Sequence, residues 1–290
     1  MDIFLQYLAN GIVIGSTYVL VAVGLTLIFG ILGIVNFAHG EFYMLGAYAG
    51  LLAVTSLGMP LSVALVIVLV FSAILGLAVE AILHKPMRNR DKTSSIVASF
   101  GLAVALQNAA LLVLGPQPRL LNTELSNIPL ELGPVFMPLQ RALIPIAMVV
   151  LIGLLYSVLR YTWIGWSLRS MSQDATMARL CGVKTSRVAV VTFMVGSALA
   201  GVAGFIMSSV FMVHPLIGNM IVLKAFTVVI LGGMGSVSGA AAAGLLLGII
   251  ESMTSGYFAN GLRDIVGFVF VIAILLFRPH GLFGRAIERS

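Results

Sequence analysis
The chain has 290 residues, 60% of them hydrophobic and only 9% charged, and its 16 Lys and Arg against 10 Asp and Glu leave a net charge of +6. Soluble domains are about one quarter charged and roughly half apolar, so a mean hydropathy of +1.12 excludes a cytosolic enzyme, a nucleic-acid binder and a disordered chain. A single cysteine, Cys181, excludes a disulfide framework and a cysteine-based metal site.

The N-terminal Met1-Asp2-Ile3 lacks the basic region of a signal peptide, so the apolar run behind it reads as a retained span. Apolar blocks near the ~20 residues that cross a bilayer follow at 6–30, 35–57, 60–83, 94–115, 141–160, 188–210, 217–234, 238–256 and 262–277. They are apolar on every face and lack period-2 alternation, which predicts helices and not barrel strands. The fold class is all-α: a polytopic integral membrane bundle of about nine spans, between eight and ten. No soluble stretch is long enough to fold alone, so residues 1–290 form one transmembrane domain with a cytoplasmic loop at about 161–187.

Basic residues orient the bundle. Residues 1–84 contain no Lys or Arg; the first cluster runs from Lys85 to Lys92, the second from Arg160 to Arg187, and the third holds Arg278, Arg285 and Arg289. All three are predicted cytoplasmic. The mixed-charge, Pro-rich connection 115–140 and the His214-Pro215 turn fit the outside. Counting three spans back from the first cluster puts the N-terminus outside and the C-terminus in the cytoplasm. The count is most sensitive to residues 28–41, where two spans nearly touch.

That junction holds the first polar run, Val35-Asn36-Phe37-Ala38-His39-Gly40-Glu41. Charges in membrane segments are costly and face a partner or a cavity. Asn36, His39 and Glu41 suit either helix caps at the cytoplasmic membrane face or contact with a transported solute. His39 and Glu41 are not a metal site, because spacing i, i+2 points them to different helix faces. Further along, Glu80, Arg263 and Asp264 lie near predicted span ends, and Lys224 and Glu251 are available to pair.

Glycine makes up 31 of 290 residues, about 11% against a usual ~7%. Gly11/Gly15, Gly46/Gly50, Gly235/Gly239 and Gly244/Gly248 are spaced by four, which on a helix gives a flat face for close packing. The run Leu231-Gly232-Gly233-Met234-Gly235-Ser236-Val237-Ser238-Gly239 is too rich in Gly and Ser for a rigid helix. It predicts a break near a membrane face or inside the bundle, and such breaks mark binding sites in many transporters.

The second basic loop contains a short helix headed by Asp174 and ended by Gly182. Leu168, Met171, Ala175, Ala178 and Cys181 recur on one face. Such a helix either lies on the membrane or docks into a partner's groove. Gly182-Val183-Lys184-Thr185 resembles the end of a P-loop, but Met177 stands where the motif needs glycine and Val183 interrupts Gly-Lys. Neither a Ser/His/Asp set nor HExxH appears, so no catalytic constellation is read.

Several segments together resemble the LivH-type permease subunit of bacterial branched-chain amino-acid ABC importers, a family shared with urea and short-chain amide permeases. They are 35–41, 169–182, Lys224-Ala225-Phe226-Thr227 running into 231–236, 244–251, and Leu276-Phe277-Arg278-Pro279-His280-Gly281-Leu282-Phe283-Gly284, in family order. The Asn-Phe-Ala-His-Gly-Glu run resembles the H-type subunit more than its M-type partner. The resemblance implies a non-enzymatic permease of the bacterial inner membrane, moving branched-chain amino acids by alternating access. Its partners would be a related LivM-type permease, two cytoplasmic ATPases and a periplasmic binding protein, with lipid around it and no nucleic acid. No cofactor would bind this chain; ATP and Mg would bind the ATPases. Arg169, Gln173, Asp174, Ala178, Arg179, Leu180 and Gly182 would belong to the coupling helix, which favours docking over lying on the membrane. Asn36, Phe37, His39, Glu41, Gly232, Gly233, Gly235 and Ser236 are expected to line the translocation pathway or its helix breaks, on opposing sides of the bundle. The alternatives are a urea or short-chain amide permease and a stand-alone secondary carrier or channel, which would transport without ATPases.

Overall fold
The structure, a computed structural model, describes residues 2–88, 90–278 and 281–283. Arg285 and Arg289 of the third basic cluster, and Pro279, His280 and Gly284 of the last resembling segment, lie outside the described residues.

Each predicted span contains a helix. α1 (Asp2–Leu32) is followed by the short α2 (His39–Thr55). α3 (Leu61–Val79) runs through a π turn at Glu80–His84 into α4 (Lys85–Met87), and α5 (Lys92–Leu114) follows. The connection after α5 carries a two-stranded antiparallel hairpin, β1 (Pro129–Leu132) and β2 (Val135–Pro138), with Pro129 opposite Pro138. α6 (Leu139–Tyr161), α7 (Trp163–Gln173) and α8 (Ala175–Leu180) lead to α9 (Thr185–Met207). The chain closes with α10 (Ile217–Gly232), α11 (Val237–Tyr257) and α12 (Arg263–Phe277).

Among the described residues six helices are long and apolar enough to cross a membrane. The other three predicted spans, α2, α10 and α12, have 17, 16 and 15 residues. Each falls short of the ~20 that bridge a hydrocarbon core alone. α2 and α10 are each preceded by non-helical chain, at residues 33–36 and 212–214.

α1 is the axis of the bundle. It is buried along most of its length and packs on α6, α7, α9, α10 and α11, whereas α5 and α6 leave most of their surface exposed. Apolar side chains gain little by leaving lipid for protein, so packing of small residues must hold such helices together. The four-residue glycine spacing does this twice. A Cβ on Gly11 would stand 2.7 Å from Ile249 Cα and one on Gly15 2.9 Å from Leu245 Cα, while Gly248 lies against the backbone of Gly15. Gly46 and Gly50 press on Gly201 and the Phe205 ring of α9 in the same way. Gly235 and Gly239 do not share a helix face, because α11 begins between them, at Val237.

α1 also serves as a ruler. Tyr7 meets Gly256, Gly15 meets Gly244 and Leu245, Gly24 meets Gly196, and Gly30 meets Gly235. α9 and α11 therefore run antiparallel to α1, and α7 sits at its C-terminal end, where Leu168 and Arg169 adjoin Leu27 and Ile31. The hairpin sits at the opposite end, pinned by Gln6, which donates to Phe136 O (3.0 Å) and accepts from Phe136 N (2.9 Å).

Two glycine substitutions test this packing. Gly248→Ile drives a branched side chain into the α1 backbone and should cost at least ~1–3 kcal/mol, read as a lower Tm or loss of a monodisperse peak in detergent. Gly101→Ala, on α5 with nothing within 4 Å of the added carbon, should be neutral or gain up to ~1 kcal/mol from helix propensity.

Candidate translocation site
The first polar run sits at a break inside the bundle. α1 ends at Leu32, residues 33–36 are non-helical, and α2 starts at His39. His39 is fully buried and its Nε2 lies 3.1 Å from Val21 O. Val21 and Gly24 stand roughly 12–17 Å short of the end of α1 at 1.5 Å per residue. His39 is therefore placed against the middle of α1 and not at its end. Asn36 folds back to accept from Ala38 N (3.1 Å), and Phe37 N donates to Ser99 Oγ on α5 (3.1 Å). The Phe37 ring packs on Phe226 of α10 with centroids 5.1 Å apart.

The mirror feature is on the other side of the bundle. After α9 the chain is tied to the 115–121 connection by paired bonds between Arg119 and Val213 (2.9 and 2.7 Å) and by Leu121 N to Ser208 O (2.9 Å). It then turns at His214–Leu216 into α10. The first turns of α2 and α10 are built alike: His39 N bonds Asn36 O and Glu41 N bonds Ala38 O, as Ile217 N bonds His214 O and Asn219 N bonds Leu216 O. Ala38 (φ −74°, ψ 1°) and Leu216 (φ −96°, ψ 2°) share one backbone conformation. The His214-Pro215 turn, expected outside, thus leads directly to the α10 start, which abuts the α2 start inside the bundle.

The two starts touch. Gly40 faces the carbonyl of Gly218, and a Cβ on Gly218 would stand 2.7 Å from Glu41 Oε1. Glu41, 1% exposed, therefore lies against the first turn of α10 as well as within its own. Each helix start carries about half a positive charge, so the carboxylate sits where two partial charges favour it. Gln107 Nε2 of α5 donates to Glu41 Oε1 (3.2 Å). Asn36 Nδ2, His39 Nδ1 and Glu41 Oε2 are buried without a hydrogen-bond partner. Sequence patterning does not single out Gly218 or Gln107. The signals that could have done so are the Gly-polar pair Gly218-Asn219 repeating Gly40-Glu41, and an amide inside an apolar helix.

The glycine-rich run occupies a different place. Gly232 packs on Gly239 and Ala240, Gly235 packs on Gly30 near the end of α1, and Gly281 packs on Gly233. Leu282 N and Phe283 N bond the carbonyls of Leu231 and Gly232. Gly233 (φ 97°) and Gly235 (φ 88°) make the turn, and Ser236 Oγ caps α11 by accepting from Gly239 N (3.1 Å). The structure does not bring this turn to the Asn36–Glu41 break.

A charge network spans four helices. Lys224 of α10 donates to Glu251 of α11 (2.5 Å) and to Asp264 of α12 (2.7 Å). Arg263 donates to Glu251 Oε2 (2.8 Å) and to the Tyr18 hydroxyl of α1 (2.9 Å), and Tyr18 donates to Glu251 (2.8 Å). The sequence offered Lys224 and Glu251 as a pair; Arg263 and Asp264, which lie near a predicted span end, join them. Glu80, expected near a span end, pairs with Arg88 across the π turn while 1% exposed.

The loop from α7 to α9 is two helices, not one. Asp174 (φ −153°, ψ 110°) separates them and caps α8, accepting from Thr176 N (2.7 Å) and Met177 N (2.9 Å). At the other end Gly182 (φ 87°) allows Gly182 N to bond Arg179 O and Val183 N to bond Ala178 O, both 3.0 Å, which satisfies the last carbonyls. The expected apolar stripe is split by this break. Leu168 and Ala178 are buried within the chain itself, Cys181 is exposed, and Met177 and Leu180 point outward. Arg169, Gln173 and Arg179 are exposed.

Removing one member of the network should strand the others. Glu251→Gln leaves Lys224 and Arg263 short of a carboxylate and should cost ~3–5 kcal/mol. Lys224→Met combined with Glu251→Gln should cost less than the sum of the singles, as measured by thermal unfolding in detergent. Additive losses would contradict a coupled network.

A family model described as branched-chain amino acid transport system / permease component matches residues 7–276. The chain is 35% identical, over 97% of its length and 96% of the relative's, to the high-affinity branched-chain amino acid transport system permease protein LivH of Escherichia coli. It is 34% identical, with the same coverage, to the corresponding permease protein BraD of Pseudomonas aeruginosa. A probable branched-chain amino acid transport permease protein LivH of Methanocaldococcus jannaschii is 28% identical over 96% of this chain and 91% of that one. A solved structure, PsaBC from Streptococcus pneumoniae in complex with Fab, shares the fold at a TM-score of 0.51 and 13% identity, covering 96% of this chain and 92% of that one. With a family match from residue 7 to residue 276 and helices able to cross a bilayer, the chain is a membrane protein that belongs to the branched-chain amino acid transport permease family.

Proposed function
We propose that this chain is the translocation subunit of an ABC importer that brings branched-chain amino acids across the bacterial inner membrane. The observation that carries this reading is 35% identity over nearly the whole chain to a permease of high-affinity branched-chain amino acid transport. In this reading ATP and Mg act on two cytoplasmic ATPases, a related LivM-type permease completes the membrane pair, and a periplasmic protein delivers the solute. The chain itself hydrolyses nothing and holds no cofactor. It forms a single membrane domain over residues 1–290.

The helix order supports nine crossings. α1, α3, α5, α6, α9, α11 and α12 each make one. The 33–38 segment with α2, and the 208–216 segment with α10, make the other two, each part non-helical chain and part helix. With Lys85, Arg88, Arg90, Arg169, Arg179 and Lys184 on the α7 side, the N-terminus is outside and the C-terminus is cytoplasmic.

The Asn36–Glu41 break, with Phe37 against Phe226, borders the pathway. A zwitterionic solute needs a few dipoles and apolar walls there, not a strong charge, and the free polar atoms of Asn36, His39 and Glu41 suit a route that is hydrated in one state. Gly232, Gly233, Gly235 and Ser236 border its cytoplasmic side. Residues 161–187 form the coupling loop, and Met177 and Leu180 are the side chains it offers an ATPase groove. Ala178 serves to seat α8 on α9.

The direct test is uptake of labelled leucine, isoleucine, valine and urea in proteoliposomes. The complete importer should take up the branched amino acids with ATP, and this chain alone should take up nothing. Leucine uptake by the chain alone, or urea uptake only, would overturn the reading. For the loop, Met177→Asp with Leu180→Asp should abolish co-purification of the ATPases or uptake while insertion stays normal. Gln173→Cys should react with impermeant thiol reagents only from the cytoplasmic side.

A further inference from the structure
A pocket of about 410 Å³ opens at the end of the bundle opposite α7, between the N-terminal half of α1, the start of α6, the segment after α9 and the α11–α12 junction. Ligand pockets of this kind are typically ~300–1,000 Å³. Val13 and Ile14 of α1 with Val210 and Phe211 make an apolar wall, and Glu251 and Arg263 of the charge network line its floor. Arg141, in the first turn of α6, lines it as well. Among the described residues no carboxylate pairs with Arg141.

The local charge does not balance. Lys224, Arg263 and Arg141 face only Glu251 and Asp264, and those two carboxylates are already held by Lys224 and Arg263. Among the described residues Arg141 is the cation of this group left without a carboxylate, and it lines the cavity together with the apolar wall of Val13, Ile14, Val210 and Phe211. A phospholipid headgroup would supply an anion too, but it would leave the apolar wall unused if its acyl chains stayed outside the pocket.

We propose that this pocket is an outward-facing vestibule within the single chain that receives the branched-chain amino acid, its carboxylate on Arg141 and its side chain on the Val13–Phe211 wall. The proposal rests on the transport reading above. It places the first contact of the solute inside one subunit, nearer the N-terminal end of α1 than the α2–α10 junction.

The test uses the assembled importer in proteoliposomes, with Cys181→Ser as background and Asn10→Cys, which lines the pocket, as reporter. An impermeant thiosulfonate added outside should label Asn10→Cys. Leucine at about ten times its Kd should slow labelling about tenfold, as occupancy requires. Arg141→Gln should abolish the protection and Arg141→Lys should keep most of it. Ile14→Phe, which fills the wall and leaves the charges alone, should also abolish it and stands in if Arg141→Gln does not assemble. No labelling, no protection by leucine, or protection that survives both Arg141→Gln and Ile14→Phe would overturn the proposal. Labelling that slows as the anionic phospholipid content of the vesicles is raised, and does not respond to leucine, would overturn it in favour of a lipid site. Uptake by the importer with neither substitution is the control: if it carries no leucine, the transport reading fails first.

Discussion
Two short helices, of 17 and 16 residues, start inside the bundle and meet at Gly40 and Gly218, with the Glu41 carboxylate between their first turns. The rest of the chain is arranged to make that junction tolerable. A helix start exposes unpaired N–H groups, and lipid offers them nothing. Here the starts are wrapped by α1, α5 and α9, and a buried acid sits in the field of both. Non-helical backbone leading to each start is satisfied by local bonds: Asn36 to Ala38 on one side, and the Arg119–Val213 bridge on the other. A full-length helix in either place would need none of this and would leave no break in the wall.

The junction also sets the packing around it. α2 and α10 cannot be held by length, so they are held by contact. Gly46 and Gly50 bring α2 onto α9, and Lys224 ties α10 to α11 and α12 through Glu251 and Asp264. A buried charge is costly without its partner, which makes the network a staple between these helices. α1 and α11 form the rigid pair behind it, joined by backbone contact at Gly11, Gly15, Gly244 and Gly248. Flexible turns are left to the α7 side, where Gly235 and Gly182 close α10–α11 and α8.

Much of this is legible in the residues. Apolar runs locate every long helix, since their composition leaves no other low-energy state in lipid. The polar run 35–41 marks the first break, because Asn, His and Glu together are expensive there. Asp174 and Gly182 fix both ends of α8 through local capping chemistry. What stays hidden is tertiary. Nothing in the spacing joins Glu41 to Gly218, or Tyr18 and Arg263 to Glu251, because partners in different spans share no periodicity. The apolar spacing from Leu168 to Cys181 reads as one stripe, although the break at Asp174 divides it between α7 and α8. The same spacing does not show that Ala178 is buried within the chain itself.

The α2 and α10 starts touch inside the bundle, and in the proposed transport reading they part for solute to pass. Phe37 and Phe226, whose rings are 5.1 Å apart, offer the most direct measurement. In the assembled, reconstituted importer on a Cys181→Ser background, Phe37→Cys and Phe226→Cys would be joined by a short bifunctional thiosulfonate, and leucine uptake measured before linking, after it, and after reduction. The expected result is rapid linking in the resting state, loss of uptake with the ATPases still assembled, and recovery on reduction. Failure to link, or unchanged uptake with the link in place, would contradict a junction that opens during transport.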